Sequence, residues 1–500
     1  MKVALISMPD VVPIIIHEMA AHMPNHGIAC IGGNIDPQHD VVLIDLVRKR
    51  GNVAGYLRKT LRKINPGLIG LSAMTWQYHT CLAIVRLIRE ILPDTKIAMG
   101  GYHTTLLCNE IAGSDESDGV DFMIRGEGEE AFRRLVNALD GTDALEAIPG
   151  LSFRSNGQWV HNEQGALCDL SKLKLPIRDR RRLTGGYHLM LSKIEVMETS
   201  RGCTRNCNFC SISHMYGRSY RTYPIERIIA DLDDIYYNKK TRLIFITDDN
   251  MLLNPRWVEE LCDAIIRRKY RNLQLVVQAD CVSMARNEQV VQKMARAGFR
   301  AVFLGIESVS ERNLQEMDKS EIIAKAKQAV ANCHRHGMMV MGGLIFGMPD
   351  DNEESIRRNY QFLNELEADA SYCQMLSPFP KTVIRDHLIE EGLVTNLDNY
   401  ERYNGMWANV RTKHLDTEQL QYAFWLHRQI TLGWWDPSEF ARNNGKSWTA
   451  VWTHVVKPVM KYFVDKGTRR DGWEGRYRRY IRRLEKMNYF PDLEKYYYRK

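Results

Sequence analysis

Along the first 150 residues, apolar positions gather in short runs. Between them lie stretches where apolar residues recur at helical spacing. The runs are VALIS (Val3–Ser7), VVLIDL (Val41–Leu46), LIGLSAM (Leu68–Met74), KIAMGG (Lys96–Gly101) and FMIRGEG (Phe122–Gly128), and they close on or beside polar or glycine residues. Val53–Ile64 and Tyr78–Leu92 carry the helical period. This alternation predicts a doubly wound parallel sheet over residues 1–150, whose ligands sit beyond the carboxyl ends of the strands. That rule selects Ser72, Met74, Thr75, Gly100, Gly101, His103, Thr104, Gly126 and Glu127.

Residues 151–192 read as a connector. PGLSFRSNGQWVHN predicts a β-hairpin turning at Ser155-Asn156-Gly157. The polar run DLSKLKLPIRDRRRL that follows is expected to cross the outer surface without chemistry. From 193 to 380 the strand–helix alternation resumes, with strands expected at KIEVMET, RLIFITDD, LQLVVQAD, AVFLGIES, MMVMGGLIFG and SYCQMLSP. In a barrel, the strand ends would present Asp248, Asp249, Asn250, Gln278, Asp280, Glu307, Ser308, Gly347 and Met348. Such polar groups also serve as helix caps, an alternative for Asp249 and Ser308.

Past residue 381 the pattern becomes mainly helical, as in Leu415–Trp435 and Trp448–Val464. Asp416 or Thr417 is placed to cap the first of these helices. Trp407, Trp425, Trp434, Trp435, Trp448 and Trp452 crowd this region, a density that suits a large apolar pocket or an interfacial surface.

Composition adds bounds. Five hundred residues suffice for two or three domains, and 44% hydrophobic with 26% charged residues is ordinary for a globular protein. No apolar run reaches the length of a spanning helix and no signal peptide is read, so a cytoplasmic protein is expected. Eleven cysteines, an odd number, fit reduced thiols. Between Lys466 and Lys500 there are twelve Lys/Arg against five Asp/Glu, so the whole net charge of +7 resides in the tail. Its interleaved Arg and Tyr fit a solvated helix best, then peripheral contact with an anionic membrane. Nucleic acid is the weakest reading, since no RNA-binding module accompanies the tail.

The chemistry centres on ETSRGCTRNCNFC, where Cys203, Cys207 and Cys210 stand in CxxxCxxC spacing just after an apolar run. Three thiolates on one loop can hold three irons of a cubane and leave the fourth open to a ligand. Structural zinc normally takes four ligands in two pairs, and no second pair is present. Cys281, Cys333 and Cys373 are isolated and read as packing residues, with a radical-quenching thiol as the minority alternative, best suited to Cys281 or Cys373.

With Phe209 as the aromatic of CxxxCxΦC, and with Arg201, Gly202 and Tyr216–Arg221 flanking it, the loop resembles the radical SAM signature. The resemblance implies a 4Fe-4S cluster on Cys203, Cys207 and Cys210, binding S-adenosylmethionine at its open iron and cleaving it to a 5′-deoxyadenosyl radical. It also implies a partial (β/α)6 barrel over 193–380, fed by an external one-electron donor of flavodoxin or ferredoxin type. Asp248, Asp249, Asn250, Gln278, Glu307 and Ser308 would then face S-adenosylmethionine.

LSAMTWQYHT and GGYHTT resemble the strand-end turns of the cobalamin-binding, Rossmann-like (flavodoxin-like) domain of the cobalamin-dependent subfamily. His79 and His103 are candidates for the lower face of the cobalt or the nucleotide tail, and each also reads as an ordinary hydrogen-bonding group. The DxHxxG motif is absent, and Asp10–Asp40 is poor in the Pro-Leu-Gly pattern expected after the first strand. In layout the chain is similar to anaerobic Mg-protoporphyrin ester cyclases and hopanoid-pathway proteins. The implied function is methylation of an unactivated carbon of a hydrophobic small molecule under anaerobic conditions, with residues 381–500 as the substrate domain. Radical oxidation or cyclisation without methyl transfer is the alternative, and a cobalamin- or redox-sensing binding protein the non-enzyme one.

Overall fold

The structure, a computed structural model, describes residues 1–12, 22–189, 192–317, 322–431 and 472–497. The helix expected over Trp448–Val464 and residues Trp434, Trp435, Trp448 and Trp452 lie outside them.

The first unit runs β1 (Lys2–Ser7), α1 (His26–Asn34), β2 (Asp40–Asp45), α2 (Val53–Ile64), β3 (Leu68–Ser72), α3 (Tyr78–Ile91), β4 (Lys96–Gly100), α4 (Tyr102–Ala112), β5 (Phe122–Ile124) and α5 (Gly128–Leu139). A hairpin, β6 (Leu151–Ser155) and β7 (Gln158–His161), follows. The sheet order is β2-β1-β3-β4-β5-β6-β7, with β1 to β5 parallel. The hairpin is antiparallel and extends the sheet edge. Apolar clusters cover both faces. Ala4, Ile6, Ile69 and Leu71 pack on one side, and Val3, Leu5, Leu68 and Ala98 on the other.

After a short β8 (His188–Leu189), the second unit runs β9 (Ser192–Met197), β10 (Ser200–Arg201), α6 (Ile212–Tyr216), β11 (Arg221–Thr222), α7 (Ile225–Asp233), β12 (Leu243–Ile246), α8 (Pro255–Arg268) and β13 (Gln274–Asp280). It continues with α9 (Cys281–Arg286), α10 (Glu288–Ala297), β14 (Phe299–Glu307), α11 (Glu311–Glu316), α12 (Ile322–Arg335), β15 (Met339–Phe346), α13 (Glu353–Glu365) and β16 (Ala370–Met375). Sheet order is β16-β15-β14-β13-β12-β9-β8, and the six long strands are parallel, an open barrel. Among the described residues, helices cover one face. Along β13, buried Leu275, Val277 and Ala279 face them, while Gln274, Val276, Gln278 and Asp280 alternate as half-exposed positions.

The C-terminal part contributes α14 (Val383–Glu390), α15 (Thr417–Thr431) and α16 (Trp473–Met487). Asp416 caps α15 by accepting from Gln419 N at 2.9 Å. In α16, Tyr477 and Tyr480 turn inward onto Tyr422 and Trp425, leaving Arg478, Arg482 and Lys486 outward. Beyond it Phe490, Leu493 and Tyr496 are buried in the core of the first unit, 400 residues away in sequence. Asp492 accepts from Ala54 N at 2.6 Å, and Lys495 pairs with Glu90 at 2.9 Å. The basic, aromatic tail is thus a strap across the molecule.

The connector departs from the expected surface path. Its backbone pairs with the edge strand β2, Leu43 N donating to Arg180 O at 3.0 Å and Arg182 N to Leu43 O at 2.9 Å. Arg178 and Arg181 are buried because each finds a buried carboxylate, Asp231 for the first and Glu195 for the second, both at 2.5 Å.

Candidate active site

The carboxyl ends of the two parallel sheets face each other across a cavity of about 630 Å³. Ser72, Met74, Gly100, Gly101 and Gly126 line it from the first unit, and Asp249 from the barrel. Glycine is required at 101: φ is +99°, and a Cβ there would lie 2.5 Å from Ala73 O. A deeper slot opens between the sheet and helices α1 and α5, walled by Leu5, Ile28, Ile31, Ala98 and Phe132. Polar groups at the rim and an apolar slot below suit a large amphipathic cofactor.

Glu127 forms part of the same wall, yet its carboxylate is taken up between the units. Oε1 meets Arg201 at 2.8 Å and Arg221 at 3.0 Å, and Oε2 accepts from Cys168 N at 2.7 Å. Arg201 also pairs with Glu129 at 2.5 Å and Glu198 at 2.9 Å. Burial opposes charge on Arg201, but Glu129 and Glu198 outweigh it and hold the guanidinium protonated. RGEGEE and TSRGC therefore meet as one ion network joining the two units. Glu127, expected as a ligand contact, thus joins this network while still lining the cavity.

The cysteine loop is held from β12. Asp248, fully buried, accepts from Thr199 N at 2.7 Å and Ser200 Oγ at 2.6 Å. Asp249 accepts from Gly202 N at 2.9 Å, and Asn250 Nδ2 lies 4.0 Å from Cys203 Sγ. Gly202 has φ +85°, and a Cβ would meet Ser219 O at 2.3 Å. Cys203, Cys207 and Cys210 are each half-buried and not disulfide-bonded to one another. Among the described residues the one trio of donor atoms within 4.8 Å of each other is His26, Cys30 and Glu198. Burial raises the Cys210 thiol to about 12. Burial also raises Asp249 to about 6 and Asp248 to about 7, the hydrogen bonds from Gly202 and Ser200 opposing.

Of the remaining expected residues, Gln278 lies on the inner face of the barrel, its Nε2 3.4 Å from Asp248 O. Glu307 ends β14 at a register shift with φ +68°, the sort of strained backbone found at functional sites. Ser308 is fully buried and accepts from Ser310 N at 3.1 Å, in keeping with the capping alternative. Thr75, Thr104, His79 and His103 stand outside the cavity wall. Thr75 and Thr104 are buried at 2% and 1% exposure. The His103 ring lies 3.9 Å from that of Tyr78 and edge-on to Tyr400, and burial lowers it to about 3. His79 pairs with Glu401 at 3.2 Å. Both histidines point into the joint with the C-terminal part and away from the cavity. Cys281, Cys333 and Cys373 are buried.

Sequence reasoning missed Asp10, His26, Tyr102 and Tyr216 in the wall. The local signal for His26 is Pro24-Asn25-His26-Gly27, where Asn25 caps α1.

The inner face of the barrel carries an apolar row. Phe245, Val276, Phe303, Met341 and Tyr372 alternate with buried, helix-facing neighbours and stay half-exposed. Phe303 and Tyr372 meet edge to face at 5.5 Å.

The Radical SAM superfamily profile matches residues 197–363, and the B12-binding domain profile matches residues 12–136. The chain belongs to the cobalamin-dependent radical SAM enzymes and is methyltransferase-like; its cofactors are a 4Fe-4S cluster, S-adenosylmethionine and cobalamin. It is 28% identical over 399 residues to an uncharacterized methyltransferase of Pyrococcus horikoshii, covering 79% of this chain and 85% of that one. It is 20% identical over 419 residues to the anaerobic magnesium-protoporphyrin IX monomethyl ester cyclase of Rubrivivax gelatinosus, covering 81% and 72%. Its fold is that of the radical S-adenosylmethionine methyltransferase TsrM of Kitasatospora setae, solved with cobalamin and a [4Fe-4S] cluster. The TM-score is 0.70 at 16% identity, over 97% of this chain and 99% of that one. Radical SAM enzymes generally act on a small-molecule substrate and draw on an external electron donor. Among the described residues no helix is long and apolar enough to cross a membrane.

Proposed function

We propose that this enzyme methylates an unactivated carbon of a hydrophobic small molecule lying in the barrel lumen. The half-exposed apolar row of Phe245, Val276, Phe303, Met341 and Tyr372 carries this reading, because such a surface recognises carbon skeletons. When bound, the cluster with S-adenosylmethionine supplies hydrogen abstraction, and cobalamin supplies the methyl group. Cys203, Cys207 and Cys210 hold the cluster. Asp249, Gln278 and Glu307 face S-adenosylmethionine, while Asp248 and Asn250 fix the loop that carries the thiols. Ser72, Met74, Gly100, Gly101 and Gly126 receive cobalamin, their small or backbone surfaces allowing close approach. The two units and the strap exclude water and fix the distance between the reacting centres.

Similarity to a cyclase supports a second outcome, radical oxidation or ring closure without methyl transfer. Turnover with S-adenosylmethionine labelled in its methyl group separates the two: label in the product supports methylation, and unlabelled product removes it. The electron donor is a flavodoxin or ferredoxin. Outward Arg482 and Lys486, with Trp473 43% exposed, support a peripheral contact with anionic membrane. Co-sedimentation with anionic vesicles tests it, and failure to pellet removes it.

A further inference from the structure

Asp10 follows β1 at the carboxyl end of the first sheet and forms part of the cavity wall. It is 5% exposed. Its Oδ1 accepts a hydrogen bond from Thr80 Oγ1 at 2.9 Å, while Oδ2 is buried with no hydrogen-bond partner among the described residues. Buried carboxyl oxygens are seldom left unanswered, and an orphan in a ligand cavity marks a place where the ligand answers it.

The loop that carries Asp10 is held firmly. Asn488 of the strap donates to Val11 O at 3.0 Å and accepts from Val11 N at 2.9 Å. Arg50 donates to Pro9 O at 2.8 Å. The charged and titratable groups around Asp10 are Arg50 after β2, Cys81 on α3, Glu401 before Arg402, and Tyr497 at the end of the strap. Arg50 does not reach either carboxyl oxygen as a salt bridge among the described residues. Burial therefore dominates and pushes the Asp10 carboxyl up to about 8, against the Thr80 hydrogen bond and Arg50. At neutral pH the group keeps its proton. Since Oδ1 already accepts from Thr80, that proton resides on Oδ2, where it is a donor.

We propose that Asp10 is the hydrogen-bond donor of the cavity to cobalamin, its Oδ2–H meeting an oxygen acceptor of the cofactor. This rests on the assignment of cobalamin to the cavity. Two acceptors share the required chemistry, an amide carbonyl of the corrin side chains and a water on cobalt.

The test is titration of the full-length, cluster-reconstituted protein with hydroxocobalamin, followed by visible absorbance, with iron and sulfide content as the check on folding. Asp10→Ala is expected to bind at least about tenfold more weakly, and Asp10→Asn, whose amide still donates, within about threefold of wild type. Wild-type affinity falls between pH 7 and 9 as the carboxyl ionises through about 8, and Asp10→Asn stays flat across that range. An amide-carbonyl acceptor leaves the electron paramagnetic resonance of bound cob(II)alamin unchanged in Asp10→Ala. A cobalt-bound water alters it. Binding by Asp10→Ala within about threefold of wild type, or Asp10→Asn as weak as Asp10→Ala, overturns the contact. Absence of cobalamin uptake by wild type as well overturns the cofactor assignment together with it.

Discussion

The two seven-stranded sheets are both largely parallel, but they offer ligands different surfaces. In the first, helices lie on both faces and β1 and β3 are buried almost throughout, so only the strand ends and the α1–α5 slot remain open. In the second, helices cover one face, and alternate residues of β12, β13 and β14 stay half-exposed on the other. A sheet buried on both faces holds a cofactor at its edge through glycine turns. A sheet covered on one face can cradle a substrate along its length. The carboxyl ends of the two sheets meet at the cavity between them.

The comparison can be broken most severely at the cysteine loop. Cys203→Ala is expected to abolish formation of 5′-deoxyadenosine from S-adenosylmethionine and lower iron content, while cobalamin uptake by the first unit persists. Parallel assays of iron, nucleoside and bound cobalamin check this. Next comes the joint between the sheets. Arg201→Ala strands Glu127, Glu129 and Glu198 without their shared cation and should cost about 3–5 kcal/mol in denaturant unfolding. Loss of less than about 1 kcal/mol would show that the units do not depend on this network.

Gly101→Ala sharpens the edge side. It forces φ +99° on a side chain whose Cβ meets Ala73 O, for about 1–3 kcal/mol, and should release cobalamin with the cluster intact. Phe303→Ala sharpens the face side. The apparent KM for an apolar substrate should rise about tenfold while substrate-free cleavage of S-adenosylmethionine is unchanged. The smallest effect is electrostatic. Asp248 is raised by burial from its ordinary 3.8 to about 7, so its share of stability is full below 3.8 and is lost as pH rises through 7. Thermal unfolding between pH 4 and 8 should show a smaller loss for Asp248→Asn than for wild type.

Much of this was legible in the chain. Unbroken apolar runs marked the first sheet, and the cysteine spacing marked the cluster loop before any fold was known. Partnership was harder to read. Glu127 and Arg201 each sat in a recognisable turn, but nothing local says that they pair across 74 residues. His103 follows a strand-end glycine pair as a ligand would, yet Tyr78 and Tyr400 claim its ring. The arginines of the connector looked like surface charge because their carboxylates, Glu195 and Asp231, lie on later elements. Asp10 carries no motif; only its burial in the cavity wall with one unanswered oxygen singles it out.

The interlocking of Phe490, Leu493 and Tyr496 with helices α2 and α3 bears on how the first unit can be handled. Excised by itself, residues 1–161 would show water a greasy furrow where those three side chains now lie. Such a fragment should self-associate or bind a peptide spanning residues 488–497 added in trans. The corrinoid module is thus not portable: its wall is finished by the far end of the polypeptide.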